Sequence, residues 1–437
     1  PFKPRFMFQN FFLLLLLSIG FTRCAAQNTT STTNAPATQK IQPAAERTDQ
    51  YLHLLKGKNV AVFANQTSTV GNQHLVDVLQ KGGVKIKVIF GPEHGFRGTA
   101  DAGEKVESTI DKATGVPVVS LYGKKRVPSK EDLEGVDVML FDIQDVGVRF
   151  YTYISSLQEY METAIKYNIP LIVLDRPNPN GHYVDGPVLE PKFKSFVGMQ
   201  PVPVVYGMTM GEYAKMILEE GWLSKEAMDT YTQNVLAATY PPGAKYFGLT
   251  VVPNGAYTHK SMYVLPVKPS PNLPDAQSIY WYPSTCFFEG TVLSEGRGTD
   301  HPFQIFGHPS LPKTLYKFTP TSRDGAKEPK LKNQVSYGWN LHGPVKEVLQ
   351  KVDNQLQLKY LLEAYRLFPD KGSFFLISKK ENIQPTDYFF NKLAGNATLM
   401  QQIKEGKSEA EIRKSWEPKL TAFKQIRKKY LLYPDFE

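Results

Sequence analysis

Cysteine is scarce in this sequence, and long apolar runs are scarcer still. The 437 residues include two cysteines, Cys24 and Cys286, which excludes a disulfide scaffold and a zinc cluster built on thiolates. The one apolar run, residues 11–19, is shorter than the ~20 residues that span a bilayer, so a multi-span membrane protein is excluded. Hydrophobic residues still make up 41% of the chain, which is enough for sizeable cores and excludes global disorder.

Common cofactor and catalytic fingerprints are also missing. No G-x-G-x-x-G or G-K-[ST] loop is present, so we expect no nucleotide cofactor. The sequence has no G-x-S-x-G elbow of a serine hydrolase, and its eight histidines form no H-E-x-x-H pair for catalytic zinc. We therefore predict neither a cofactor nor a metal ion. The net charge of +9 is mild for this length. The sequence has no dense Lys/Arg stripe with interleaved aromatics, so it does not indicate nucleic-acid binding.

The first residues are typical of a secretory signal. Lys3 and Arg5 precede the apolar run, and small residues follow it. Cleavage after Ala26 would remove Cys24, whereas acylation of Cys24, as in a lipoprotein, and an uncleaved anchor are the alternatives. Residues 27–50 are rich in Thr, Asn, Ala, Pro and Gln without an apolar period, which predicts a flexible linker. We expect an exported protein, periplasmic or secreted, without a stable membrane span.

From residue 51 onward, short β-branched runs alternate with amphipathic stretches. This alternation predicts a Rossmann-like α/β domain over 51–274, with a parallel sheet covered on both faces. The predicted strands are 59–64, 85–90, 118–121, 137–141, 171–174 and 202–205, and the predicted helices are 75–81, 154–167 and 211–220. A proline-rich connector at 269–274 leads to a smaller α+β auxiliary domain over 275–437, with helices at 345–368 and 408–429 and a strand at 374–378.

Polar loops follow four of the predicted strands. They read GPEHGFRG at 91–98, DIQDVGVRFYTY at 142–153, DRPNPNG at 175–181 and YGMT at 206–209. In open parallel sheets, ligands bind outside the carboxyl ends of the strands. The loops therefore predict a site centred on carboxylates at that edge, and we expect the polar segment 286–303 to fold over it.

Five motifs in this order resemble one known family. The motifs GPEHGFRG, FDIQDVGVRFYTY, LDRPNPNG and PSPN, and then FEGT followed by GRGT, are similar to those of the exo-β-N-acetylmuramidases of the NamZ type. The resemblance covers residues 51–437 and implies a Rossmann-like catalytic domain with a C-terminal auxiliary domain. It also implies removal of N-acetylmuramic acid from the non-reducing end of peptidoglycan fragments. Two positions depart from the family pattern, because Tyr206 stands where His is expected and Tyr257 where Trp is commoner.

Glycosidic cleavage usually needs one carboxyl group that protonates the leaving oxygen and a second group that meets the developing oxocarbenium ion. Glu93, in the GPEHG motif, is the expected acid, and His94 is expected to orient it or to bind the substrate. A cap or an ion pair with Arg97 is the alternative role of Glu93. The candidates for the second group are Asp142, Asp145, Glu289 and Glu295. A further alternative is attack by the 2-acetamido group of the sugar, polarised by an Asp.

A cation is expected to bind the lactyl carboxylate of muramic acid, and the arginine fork suits a carboxylate. The candidates are Arg149, Arg176 and Arg297, each with the alternative of holding Asp142, Asp175 or Glu295 in place. The other predicted substrate contacts are Arg97, Tyr151, Asp175, Tyr206, Asn272 and Glu295. Of the neighbours Tyr151 and Tyr153, one is expected in the core.

Three functions stay open on the sequence. The leading one is an exported muramidase acting on peptidoglycan-derived saccharides. The second is a glycan-binding protein of the cell wall that reuses the fold without catalysis. The third is a hydrolase of another cell-wall bond, an amide or an ester, which would leave the sugar chain intact.

Overall fold

The strands form three sheets in the computed structural model, which describes residues 39–93, 95–96, 109–236, 246–378 and 380–437. In chain order the strands are β1 (Asn59–Ala64), β2 (Thr69–Val70), β3 (Gln73–His74), β4 (Lys85–Gly91), β5 (Thr109–Ile110), β6 (Pro117–Ser120), β7 (Val138–Asp142), β8 (Leu171–Leu174), β9 (Leu249–Val252), β10 (Ile305–His308), β11 (Tyr316–Phe318) and β12 (Ser336–Asn340).

The largest sheet has seven strands in the order β5-β6-β4-β1-β7-β8-β9. All neighbouring pairs are parallel except β5 and β6. From β1 the chain first proceeds outward through β4 and β6, and then returns to build β7, β8 and β9 on the other side of β1. The order therefore reverses between β1 and β7, and such a reversal is where open α/β sheets bind ligands.

Every residue of β7 and β8 is buried, as expected of a parallel sheet covered on both faces. Five of the six predicted strands are confirmed, and the Rossmann-like α/β class is confirmed with them. The prediction of a strand at 202–205 is wrong. There Val205 makes only isolated bridges, with Val148 and Asp185, because Pro201 and Pro203 lack the N–H groups that a ladder needs. The outer position next to β8 is taken by β9, which we did not predict.

The helices of the described residues cover the sheet and build the second region. They are α1 (Leu52–Leu55), α2 (Leu75–Lys81), α3 (Tyr153–Lys166), α4 (Met210–Glu219), α5 (Lys225–Leu236), α6 (Ala276–Thr285), α7 (Val345–Val352), α8 (Lys359–Leu367), α9 (Phe389–Ala394), α10 (Thr398–Lys404) and α11 (Glu409–Lys428). The prediction of one helix over 345–368 is wrong, because Asp353 and Asn354 adopt positive φ values of 49° and 51° and separate α7 from α8.

The second region contains a small antiparallel sheet, β10-β12-β11, packed with helices, which confirms the predicted α+β character. No strand forms at 374–378, where Phe375 and Ile377 make isolated bridges with Thr291 and Tyr388. No described helix combines the length and the apolar character that crossing a bilayer requires.

Residues 40–437 form one compact unit. The predicted flexible linker is wrong for its last residues, because Gln42 bridges to Gly255 and the side chains of Ala44 and Ala45 are fully buried. The predicted signal peptide, Cys24 and the rest of the linker lie outside the described residues. The proposed division of the compact part at residue 274 stays a prediction.

Candidate active site

A cavity of about 170 Å³ lies where the loops after β4 and β7 meet the second region. Its lining residues are Glu93, Phe150, Tyr151, Thr152, Tyr153, Val197, Ser270, Asn272, Leu273, Tyr282, Glu289, Arg297 and Phe303. The cavity thus lies at the carboxyl edge of the sheet, beside the reversal of strand order. Since Glu289, Arg297 and Phe303 take part, the expectation that segment 286–303 folds over this edge is confirmed.

Glu93 reaches the cavity from a tight loop that begins at the end of β4. A Cβ atom at Gly91 would lie 3.0 Å from the backbone nitrogen of Phe96, and Gly95 has a φ of +75°, so both glycines allow the loop to turn sharply. Glu93 is half-buried, and its Oε1 accepts a hydrogen bond of 3.0 Å from the Tyr122 hydroxyl. Sequence analysis missed Tyr122, although it lies just past β6, at the same edge of the sheet.

Tyr151 and Tyr153 form one wall of the cavity. Their rings meet edge to face with centroids 5.0 Å apart. The Tyr151 hydroxyl donates to the carbonyl of Pro269 at 2.9 Å, and Asn65 Nδ2 donates to the Tyr153 hydroxyl at 3.0 Å. Burial raises the pKa of both phenols well above the ordinary value, and the negative charge of Glu93 adds to this. Both phenols therefore keep their protons; Tyr153 is in the core, as expected of one of the two, and still lines the cavity.

Another part of the lining carries an ion-pair cluster. Arg297 Nη2 lies 2.6 Å from Glu289 Oε1, and Arg297 Nε lies 3.2 Å from Glu295 Oε1. Lys330 Nζ lies 2.8 Å from the other oxygen of Glu295. Burial would lower the pKa of Arg297, but the two carboxylates outweigh burial and raise it. Arg297 thus stays charged and holds Glu289 at the cavity, while Glu295 is buried behind them.

Asp142 and Arg176 pair with each other away from the cavity. Arg176 Nε donates to Asp142 Oδ1 at 2.6 Å, and Arg176 Nη2 donates to Asp142 Oδ2 at 2.9 Å. Both side chains are buried, and neither lines the cavity. The predicted catalytic role of Asp142 and the substrate-binding role of Arg176 are therefore not supported by the geometry. The alternative of a structural pair holds, although the partner of Asp142 is Arg176 rather than Arg149.

Asp145 is buried close to the cavity without lining it. Its Oδ2 accepts hydrogen bonds from the Tyr206 hydroxyl and, at 2.7 Å, from the backbone N–H of Gly147. Its Oδ1 is buried and has no hydrogen-bond partner among the described residues. Burial raises the pKa of Asp145 to about 7, although both hydrogen bonds act to lower it. Tyr206 is therefore a partner of Asp145 in the interior and does not line the cavity as a substrate contact.

Arg149 and Asp175 also turn inward. The Arg149 guanidinium donates to the carbonyls of Pro187, Val202 and Leu393, so it joins distant segments rather than binding a ligand in the cavity. Asp175 accepts from the Thr209 hydroxyl at 2.6 Å, from Gly211 N at 2.9 Å and from the Tyr433 hydroxyl at 2.5 Å. Burial raises its pKa to about 6. Neither residue lines the cavity, so the geometry does not support the predicted substrate-binding roles of Arg149 and Asp175.

Asn272 is buried at the cavity, where its Nδ2 donates to the carbonyl of Gly325 at 2.8 Å. His94 and Arg97 lie outside the described residues. The aromatic lining residues Phe150, Tyr282 and Phe303 were missed, because residue type alone does not tell whether an aromatic side chain lines a cavity or packs in a core. Tyr257 is buried, and its hydroxyl donates to the carbonyl of Asn178 at 3.4 Å, away from the cavity.

The arrangement brings two carboxyl groups, Glu93 and Glu289, to one cavity together with a fixed cation and two protonated phenols. Glu93 has a hydroxyl partner and Glu289 has a guanidinium partner, so the two acids have different surroundings. Two carboxyl groups in unlike environments are the equipment of acid-assisted glycosidic cleavage.

Comparisons with known proteins agree with this chemistry. Residues 60–277 match the family model for the N-terminal part of the exo-beta-N-acetylmuramidase NamZ, and residues 280–433 match the model for its C-terminal part. The peptidoglycan beta-N-acetylmuramidase NamZ of Bacillus subtilis (strain 168) is 35% identical, over 97% of this chain and 98% of the relative.

Two crystal structures of DUF1343 family proteins from Bacteroides fragilis NCTC 9343 are similar. The first is 41% identical, with a TM-score of 0.77, and the match covers 91% of this chain and 100% of that chain. The other is 27% identical, covers 90% of this chain and 99% of its own, and has a TM-score of 0.70. Together with the two family models, these matches show that the chain belongs to the exo-β-N-acetylmuramidase NamZ family, and hence to the glycosidases.

Proposed function

We propose that this protein is an exported exo-β-N-acetylmuramidase that releases N-acetylmuramic acid from the non-reducing end of peptidoglycan fragments. Membership of the family supports a muramidase acting on peptidoglycan. The observation that carries the proposal is the joint presence of Glu93 and Glu289 in one cavity, beside the cation of Arg297.

In this proposal Glu93 protonates the leaving glycosidic oxygen. The carboxyl group of Glu93 lines the cavity at the carboxyl edge of the sheet. The Tyr122 hydroxyl donates a hydrogen bond to one of its oxygens, so the group is oriented before substrate binds. Protonation by a positioned acid is worth roughly 10²–10⁴-fold in rate.

Glu289 is the proposed second group, which meets the positive charge that develops on the sugar ring. Of the four candidates, Asp142 and Glu295 are locked in buried ion pairs, and Asp145 is buried behind the cavity. Glu289 alone of these four lines the cavity. Arg297 holds its carboxylate in place, and the same guanidinium supplies the cationic surface expected beside a lactyl carboxylate.

The first experiment compares a chromogenic N-acetylmuramide with the matching N-acetylglucosaminide, using the full chain, Glu93→Gln, and Glu134→Gln as a matched control. Glu134 is exposed and does not line the cavity. We expect release from the muramide alone, a loss of 10²-fold or more in kcat in Glu93→Gln, and no change in Glu134→Gln. Tight binding without release would favour a glycan-binding protein, and release of peptide or acyl product from peptidoglycan would favour another bond.

The exo mode and the export are tested separately. Peptidoglycan fragments labelled at the reducing end should lose a single terminal N-acetylmuramic acid and then persist with N-acetylglucosamine at the non-reducing end, whereas internal cuts would yield mixed lengths from the first minutes. Cell fractionation of a strain that produces the full chain should find the protein outside the cytoplasm. The amino-terminal residues 1–26 support this part of the proposal by their basic start, apolar run and small residues.

A further inference from the structure

A second cluster of chemistry-bearing side chains lies apart from the cavity lining. Asp275, His301 and His342 each present one oxygen or nitrogen atom, and the three atoms lie within 4.8 Å of one another. Asp275 precedes α6, His301 belongs to the loop before β10, and His342 follows β12. The fold therefore assembles the cluster from three segments, which explains why no motif in the sequence indicates it.

Gln304 hydrogen-bonds to two members of the cluster, Asp275 and His342. It is fully buried; its Nε2 donates to Asp275 Oδ1 at 3.1 Å, and its Oε1 lies 2.9 Å from His342 Nδ1. Because a carboxylate only accepts, the amide nitrogen must face Asp275 and the amide oxygen must face His342. The proton of a neutral His342 ring is then on Nδ1, and Nε2 keeps its lone pair. Metal-binding histidines are oriented in this way by a partner on the other ring nitrogen.

His301 gives an independent sign of a missing partner. Its Nδ1 is buried and makes no hydrogen bond with any described residue. Buried polar atoms without a partner are uncommon in proteins, because each one forfeits its interaction with water. The two imidazole rings stack with centroids 3.6 Å apart, so both present nitrogen atoms to the same small volume beside the Asp275 carboxylate.

We propose that Asp275, His301 and His342 bind a divalent transition-metal ion, with zinc as the expected ion. Two imidazoles and one carboxylate are a common zinc ligand set, and a water molecule would complete a tetrahedron. Magnesium and calcium prefer all-oxygen ligands and do not suit this set. Binding requires the stacked rings to splay toward the ion, and the exposed side chain of His342 has the space to move.

The ion would hold segments of the protein in position and would take no part in the reaction itself. His301 is on the same loop as Arg297, which holds Glu289 at the cavity, and Asp275 begins α6 just after the connector that carries Asn272. Joining these segments through one ion would fix the second region where it contributes to the cavity. The inference concerns binding and stability, and it does not rest on the proposed function.

The test uses the full chain without an affinity tag that contains histidine, freed of metal by chelation and dialysis. Zn²⁺ is titrated by calorimetry, Co²⁺ binding is followed by visible absorption, and the thermal midpoint is measured with Zn²⁺, Mg²⁺ and Ca²⁺. The variants are His342→Gln and Asp275→Asn. Asn keeps the helix cap that Asp275 provides through Ser278 N, so this variant is expected to fold. His53→Gln, an exposed histidine on α1, is the matched control.

We expect one Zn²⁺ ion per chain, a Co²⁺ spectrum of low coordination number, and a midpoint that rises with Zn²⁺ alone. Affinity should fall tenfold or more in His342→Gln and in Asp275→Asn and stay unchanged in His53→Gln. Absence of Zn²⁺ binding, equal response to Mg²⁺, or unchanged affinity in both cluster variants would overturn the proposal.

Discussion

At the residue scale, the catalytic proposal depends on how single carboxyl groups are held. Glu93 accepts from Tyr122, and Glu289 accepts from Arg297, so each proposed catalytic carboxyl group has a partner that helps to fix its direction. Asp145 has a different character, since one of its oxygens is buried without a partner among the described residues. Each of these contacts can be changed by a substitution that alters one or two atoms.

Removal of the Tyr122 hydroxyl should slow the reaction while leaving the binding of substrate nearly unchanged. In Tyr122→Phe, Glu93 loses the 3.0 Å hydrogen bond that orients it, and we expect kcat to fall about tenfold with a small change in KM. Steady-state kinetics on the chromogenic muramide measures both constants. Tyr316→Phe, at an exposed position that does not line the cavity, is the control. An unchanged kcat in Tyr122→Phe would show that this hydroxyl does not assist Glu93.

Asp145 should make stability depend on pH. Its folded pKa of about 7 lies above the ordinary 3.8, so the folded state holds a proton that the unfolded state releases. The stabilisation is complete below about pH 4 and is lost as pH rises through 7, by up to ~4 kcal/mol. We expect the unfolding free energy of the wild type, relative to Asp145→Asn, to decrease over that range in urea titrations.

Asp324→Asn is the control for this pH dependence, because Asp324 is exposed. Its difference from the wild type should stay flat between pH 4 and pH 8. A flat difference for Asp145→Asn as well would contradict the assignment of the raised pKa to Asp145.

Sequence could predict those cavity residues whose side chains carry functional groups suited to sugar binding or catalysis. Five of the predicted site residues line the cavity, namely Glu93, Glu289, Arg297, Tyr151 and Asn272, and their roles stay predictions. Other predicted site residues, such as Asp142, Arg149 and Asp175, do not line the cavity. Their position at a strand end does not determine whether the side chain points into the cavity or into the interior. A loop that leaves the sheet edge alternates between the cavity and the interior, and a carboxylate with an arginine nearby pairs equally well in either place.

At the scale of elements, α11 shows how a charged run can hide a buried contact. Sequence analysis predicts a helix for 408–429, and the basic run at its end, residues 424–429, has the composition of a solvated helix face. In the structure Arg427 is fully buried; its Nη1 and Nη2 pair with Asp435 at 2.8 and 2.7 Å, and its Nε donates to the carbonyl of Gly207 at 2.9 Å. Arg427 thereby connects the C-terminal Asp435 to Gly207 in the loop before α4.

Substitution of Arg427 by Gln should destabilise the protein by ~3–5 kcal/mol, because it leaves the Asp435 carboxylate without its partner. The neighbouring Lys428→Gln removes an exposed pair with Glu437 and should cost less than ~1 kcal/mol. Unfolding in guanidinium chloride, followed by circular dichroism, compares the two variants. Equal effects would mean that burial of Arg427 adds nothing to the strength of its pair.

Element predictions succeeded where a capping signal marks the start of a helix, and they failed where a local backbone feature overrides the composition. The capping box at Thr209 and Glu212 starts α4 as the spacing predicts. The residues 202–205 have strand composition, but Pro203 and the preceding Pro201 lack the N–H groups that a strand ladder needs. The break between α7 and α8 depends on two residues in left-handed conformations, which apolar periodicity does not register.

At the scale of the whole molecule, the regions on either side of residue 274 share one core. A single cluster of buried side chains runs from Ala61 in β1 to Tyr430 after α11, and the cavity takes residues from both regions. We therefore expect one cooperative unfolding transition for residues 40–437, with the same midpoint by tryptophan fluorescence and by circular dichroism. Two separated transitions would instead support independent domains that meet near residue 274.

The contact between Tyr433 and Asp175 has a consequence for how the protein is made. A ribosome builds the chain from the amino end, and the Tyr433 hydroxyl that completes the Asp175 network arrives 258 positions after its partner. Leu432 N likewise reaches back to the Glu212 carboxylate at 2.8 Å. Until synthesis has passed residue 433, Asp175 and Glu212 each lack one of their hydrogen-bond donors. A nascent chain cut short before that point would display an incompletely satisfied interior, which is the kind of feature by which chaperones and proteases distinguish unfinished chains from finished ones.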